Sequence, residues 1–297
     1  MCDESMLDSI ARVNLSRRRT VQILGIGTAM MSVSAASVLA TEDSVVTESV
    51  LVPTPSGQMD GHWVYPKSAL KVAVPAVIIW PDILSSRPAF VAMAQRLASE
   101  GYAVLLVNPY YRQTPAPIVV EGESFRDPAV RERVYPFARA LTAEGHMSDT
   151  RAFVAFIDAQ PQTDLNKGIG VQGYCMGGPI VFRAAAAMPN RIKAVASFHG
   201  GGLVTESDNS PHLGLTQSNA SFLVAIAEND HEKRPDEASF LQEWFSQLNL
   251  EAEIEVYEGA MHGWCPLDSA AYNHDQAERA WSRLLALYNT HLKGAMS

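Results

Sequence analysis

The chain has 297 residues, a formal net charge of -9, 47% hydrophobic and 19% charged residues, and three cysteines. That length accommodates one large α/β domain with a substantial core, and the acidic balance leaves no basic footprint for nucleic acid or for an anionic membrane surface. Three cysteines supply neither a disulfide framework nor zinc spacing, and His62, His146, His212 and His231 show no metal-ligand spacing with one another.

Residues 1–40 stand apart from the rest. Ser16-Arg17-Arg18-Arg19-Thr20 precedes an apolar, small-residue run from Val21 to Ala40. A positive start, an apolar middle and a small-residue end describe an export signal, and the adjacent arginines resemble the twin-arginine type. The expectation is a periplasmic or otherwise exported protein. Residues 41–297 would then form one domain, with no stable membrane insertion after signal removal.

Ser44–Val52 and Gln58–Tyr65 flank Pro55-Ser56-Gly57 and predict a β-hairpin at a sheet edge. Two continuous apolar runs, 75–80 and 101–107, predict buried parallel strands. Between them Pro88–Glu100 carries Phe90, Met93, Ala94 and Leu97 on one helical face. Residues 109–147 break this rhythm with Pro109, Pro115, Pro117, Pro128 and Pro136. They read as a long excursion with one short helix around Ala129–Leu141, the kind of segment that forms lids or binding walls. A helix over Asp149–Ala159 follows.

Further strands are predicted over 168–172, 192–198, 221–227 and 251–257. Helices are predicted over 180–188, 235–248 and 275–292. The alternation implies a mostly parallel sheet covered by helices on both faces.

Between the strand at 168–172 and its helix stands Gly173-Tyr174-Cys175-Met176-Gly177-Gly178. Strand, tight turn and helix is the setting of a nucleophile elbow. Gly173 and Gly177 leave room for the sharp turn. Cys175 takes the nucleophile position at a helix N-terminus, whose unpaired N–H groups favour the reactive thiolate. A nucleophile needs a base, and the base an orienting group. In this architecture the acid and then the histidine follow the nucleophile. Asp230 lies in the short loop Glu228-Asn229-Asp230 after one strand. His262 lies in the loop Glu258-Gly259-Ala260-Met261-His262-Gly263 after the next. Both occupy carboxyl ends of strands, where α/β sheets place ligand sites.

These stretches, with Ala227-Glu228-Asn229-Asp230 and Tyr257 before the histidine loop, resemble the dienelactone hydrolase family of α/β-hydrolases. Weaker similarity extends over about residues 44–293. The resemblance implies an α/β-hydrolase fold and a Cys175–His262–Asp230 triad. It also implies an oxyanion hole built from the backbone N–H groups of Met176 and Ile83. Where family members that act on dienelactone carry a glutamate near the resting thiol, this chain has Asp82. Arg112, in Tyr110-Tyr111-Arg112-Gln113, matches a family arginine that holds the substrate carboxylate. The second such arginine is replaced by Pro266, so the anion clamp is incomplete and a neutral ester or lactone is expected.

Trp264 and Trp80 are candidates for an apolar wall. His199, at a strand end in Phe198-His199-Gly200-Gly201, reads as a satisfied structural histidine, and Cys265 as small apolar filler. The expected protein is an ester or lactone hydrolase acting through an acyl-thioester on Cys175. It requires no metal and no cofactor, its partner is a small-molecule substrate, and its oligomeric state is open. A non-catalytic binding protein on the same fold and a thiol–disulfide redox protein using Cys175 and Cys265 are the alternatives.

Overall fold

The computed structural model describes residues 44–294; the expected export signal in residues 1–40 lies outside the described residues. Strands β1 (Val45–Thr54) and β2 (Gly57–Pro66) form the hairpin, followed by β3 (Ala76–Trp80) and β4 (Ala103–Val107). β5 (Ile169–Tyr174), β6 (Ile192–Phe198), β7 (Ser221–Ala227) and β8 (Ala252–Tyr257) complete the sheet. Its order is β1-β2-β4-β3-β5-β6-β7-β8. β1/β2 and β2/β4 pair antiparallel, and every pairing from β4 to β8 is parallel.

The residues explain the layers. β3, β4, β5 and β7 are buried at every position, as strands covered on both faces must be. Helix α1 (Pro88–Ser99) starts on a proline whose missing N–H costs nothing there, and buries Phe90, Ala94, Leu97 and Ala98. One face of the sheet packs Trp63, Trp80, Phe153, Phe182 and Phe222. The other packs Phe90, Tyr102, Tyr174, Tyr257 and Trp264. Among the described residues no helix is long and apolar enough to cross a membrane.

The excursion holds α2 (Pro128–Arg139), capped by Asp127, whose carboxylate accepts from the Ala129 N–H. Its Val130 and Val134 pack with Tyr110 against Ile83, Cys175 and Met176, so the excursion is a wall of the site. Two boundaries differ from expectation. α3 (Ala143–Asp158) begins six residues before Asp149, because Thr142 caps it by accepting from the Gly145 N–H. Asp230 lies not in a loop but in a short helix, α5 (Glu228–Lys233), directly after β7. α4 (Gly177–Ala187), α6 (Glu237–Gln247) and α7 (His274–Tyr288) stand close to where the periodicity puts them.

Strand order reverses at β3, whose neighbours are β4 and β5. In open α/β sheets the crevice outside the carboxyl ends at such a point takes the ligand.

Candidate active site

Cys175 follows β5 at that point. Its backbone is left-handed, with φ 52°, a conformation uncommon for any residue but glycine. The turn leaves no space around it. A Cβ on Gly173 would come within 2.2 Å of the Gly177 carbonyl oxygen, and one on Gly177 within 2.4 Å of the Trp80 carbonyl oxygen. The elbow is held by the Cys175 N–H donating to the Phe198 carbonyl at 3.0 Å. Met176 is the residue after the thiol, and α4 begins at its heel. The first N–H groups of a helix have no partner inside it.

His262 follows β8. Its Nδ1 lies 2.5 Å from Asp230 Oδ2, with both side chains buried. Such a contact fixes the ring orientation and places the proton of the neutral ring on Nδ1, leaving Nε2 to act as base. The loop is fixed a second time: the His262 N–H donates to Asn229 Oδ1 at 2.8 Å. Lys233 Nζ stands 3.8 Å from the other Asp230 oxygen.

Cys175 and His262 line one cavity of about 90 Å³ with Ile83, Asp82 and His199. Phe125 and Arg126 of the excursion form its outer wall. Tyr110, also in the excursion, joins the two strand ends from behind. Its hydroxyl donates to the Ile83 carbonyl at 2.9 Å and lies 3.1 Å from Met176 Sδ. Nothing in the sequence around Tyr110 signals this, since only the fold brings residues 83 and 176 to it.

The charges of the cavity are arranged differently from expectation. Asp82 lines it, but its carboxylate receives both Arg87 terminal nitrogens, at 2.7 and 2.9 Å, and the Leu84 N–H at 2.9 Å. Arg87 also donates to both oxygens of Asp268, at 2.7 and 3.0 Å. Burial alone would lower the pKa of this guanidinium, yet Asp82 and Asp268 carry it above the ordinary arginine value. Arg87 therefore pins the loop after β3 to the loop after β8 across the cavity. The sequence offered little signal for this: Arg87 precedes a helix-opening proline, and Asp268 lies in a turn.

Arg112 does not line the cavity. Its guanidinium grips Asp149 through two nitrogens, at 2.7 and 2.8 Å, and Tyr111 donates to the same carboxylate. Asp149 is almost wholly buried and needs that cation. The expected role of Arg112 at the substrate is replaced by a role in holding the excursion to α3. Trp264 is likewise withdrawn: it is fully buried and stacks on Tyr257 at 5.3 Å and 23°. Trp80 lies in the core on the opposite face.

His199 reverses its reading. It is 1% exposed, it lines the cavity, and neither ring nitrogen has a hydrogen-bond partner. Its ring lies 4.9 Å from that of His262 and 5.0 Å from that of Trp264. Burial, then the neighbouring His262, holds its pKa well below the usual histidine range. Cys175 and Cys265 form no disulfide with each other. Cys265 lines a separate cavity with Tyr174 and Trp281, and desolvation there pushes its thiol well above the usual range, which favours the protonated form.

Residues 59–292 match the model of the dienelactone hydrolase family. A putative carboxymethylenebutenolidase of Synechocystis sp. is 26% identical over 252 residues, covering 84% of this chain and 98% of the relative. The carboxymethylenebutenolidase of Pseudomonas putida is 24% identical over 241 residues, covering 81% and 95%. The crystal structure of a putative dienelactone hydrolase from Klebsiella pneumoniae superposes with a TM-score of 0.72 at 22% identity, covering 83% of this chain and 99% of that one.

Proposed function

The chain belongs to the dienelactone hydrolase family, and on that premise we propose that it hydrolyses a neutral ester or lactone through an acyl-thioester on Cys175. The observation that carries this reading is the shared cavity. A cysteine at φ 52° and a histidine held by a buried carboxylate face one space outside the sheet's carboxyl ends.

In the proposed mechanism, His262 Nε2 takes the thiol proton as Cys175 Sγ attacks the carbonyl carbon. The oxyanion forms against the N–H groups of Ile83 and Met176, donors worth about 2.7–4 kcal/mol each in related chemistry. The carbon–oxygen bond to the leaving group then breaks, and His262 gives its proton to that oxygen. Water attacks the thioester with His262 again as base. The acid leaves, and the proton returns to the Cys175 sulfur. Asp230 keeps the ring oriented and steadies the imidazolium.

A neutral substrate is supported by the charges around the cavity. Asp82, Glu123 and Asp268 line it with Arg87 and Arg126, and Glu123 is paired with Arg133 outside that set. Arg87 is saturated by two of those carboxylates, Arg112 is committed to Asp149, and Pro266 supplies no charge. Export is proposed on the sequence pattern of residues 1–40.

The test is intact mass spectrometry of the protein mixed with p-nitrophenyl acetate or a small lactone, beside turnover of Cys175→Ala. The expected result is a transient acyl adduct on Cys175 and no turnover by the variant. A Cys175→Ala protein that keeps most of its activity would overturn the mechanism.

A further inference from the structure

The acyl-thioester mechanism uses His262, Asp230 and two backbone donors; it leaves His199 without a task. Yet His199 has the attributes of a working group. It follows β6 as Cys175 follows β5 and His262 follows β8, so it belongs to the same row of strand ends. Its backbone is left-handed, with φ 41°, which turns the ring into the crevice. It is 1% exposed, and a buried polar ring with no partner costs free energy. Its own carbonyl is the backbone acceptor acting on the ring, but not in hydrogen-bond geometry.

We propose that His199 is a second catalytic histidine that holds the water which breaks the acyl-thioester. The inference rests on the acyl-thioester reading above. Its ring centroid is 4.9 Å from that of His262, and both rings line the cavity that contains Cys175. At the bond angle of water, two donated hydrogen bonds of about 2.8 Å let one water bridge nitrogens about 4.4 Å apart, within reach of rings whose centroids are 4.9 Å apart. A neutral imidazole offers one acceptor and one donor. The acyl oxygen is already met by the Ile83 and Met176 N–H groups, and the leaving oxygen by the His262 proton. The attacking water is the participant with a second proton to place. One of its protons goes to His262 Nε2 as its oxygen bonds the thioester carbon. The other stays on that oxygen, donated to the free nitrogen of His199, and remains in the product acid when the carbon–sulfur bond breaks. A histidine held uncharged suits this task, because a protonated ring would have no acceptor and would repel the His262 imidazolium.

The experiment separates the two half-reactions. Stopped-flow release of p-nitrophenol from p-nitrophenyl acetate reports acylation, and rapid-quench intact mass spectra follow decay of acetyl-Cys175. His199→Phe keeps a ring without nitrogen. His199→Asn and His199→Gln place an amide near the Nδ1 and Nε2 positions respectively, and asparagine also tolerates the left-handed backbone.

In His199→Phe acylation is expected within about threefold of wild type and deacylation roughly tenfold slower, as the loss of one hydrogen bond implies, so the acetyl enzyme accumulates. One of the two amide variants should deacylate within about threefold of wild type, which identifies the nitrogen used. Equal slowing of both steps, slowing of acylation alone, or no change would overturn the proposal. If His199→Phe does not fold, the amide pair decides. A difference between the two confined to deacylation supports the role, and identical behaviour in both steps refutes it. Absence of any adduct in the wild type and every variant would instead refute the acyl-thioester reading itself.

Discussion

Arg87→Met removes the one cation between Asp82 and Asp268 while keeping an unbranched side chain of similar reach. Arg87 is 4% exposed at its side chain, Asp82 14% and Asp268 45%. Breaking a buried pair by removing one partner costs about 3–5 kcal/mol, because the other charge is left uncompensated. Asp268 can turn to solvent, so the lower end applies. About 3 kcal/mol corresponds to a fall in Tm of about 6–12 °C for a domain of this size.

The cost lies in the stranded Asp82. Adding Asp82→Asn to Arg87→Met removes the charge but keeps an oxygen for the Leu84 N–H, so the double variant should be more stable than the single one. Thermal unfolding of wild type, single and double variants measures both differences. A double variant no more stable than the single would refute the account of Arg87 as the partner of a buried acid.

Arg112→Ala should act on stability rather than on substrate choice. Leaving Asp149 unpaired costs about 2 kcal/mol and lowers Tm by about 4–8 °C. The wild-type preference in kcat/KM for a neutral ester over a carboxylated analogue of the same size should persist in the variant. Loss of discrimination would put the guanidinium at the substrate after all. His262→Ala should lower kcat by about 10²–10⁴-fold, with Asp230→Ala the milder loss, since the base survives without its orienting group. Steady-state kinetics of the two variants settle the order, and a His262→Ala enzyme at full speed would remove the histidine from the mechanism.

What was legible in the sequence was governed by neighbours along the chain. A glycine on each side of Cys175 shows a tight turn, and the run before it shows a buried strand, because both depend on residues a few positions apart. The place of the nucleophile at the head of α4 followed directly. Asp230 and His262 could be singled out without knowing whether Asp230 sat in a loop or a short helix, since each follows the end of a strand. The start of α3 was missed for a related reason. Gly145 reads as a helix breaker until Thr142 is seen to cap its N–H.

The errors concern partners distant in sequence. Arg112 and Arg87 are both arginines near strand ends, and nothing local tells which of them meets the cavity. The choice is made by Asp149, 37 positions from Arg112, and by Asp268, 181 positions from Arg87. His199 was misread in the same way. A histidine at a strand end is satisfied or unsatisfied according to what β8 and its loop bring against it, and here they bring His262 and Trp264 rather than an acceptor. The candidate residues of such a site can thus be named from local pattern, whereas its net charge and its spare hydrogen-bonding capacity arise only from the crossing of strand ends. Substrate choice depends on those two properties. Arg112, committed to Asp149, and Arg87, committed to Asp82 and Asp268, show how far the charge of the cavity depends on partners that the sequence does not place together.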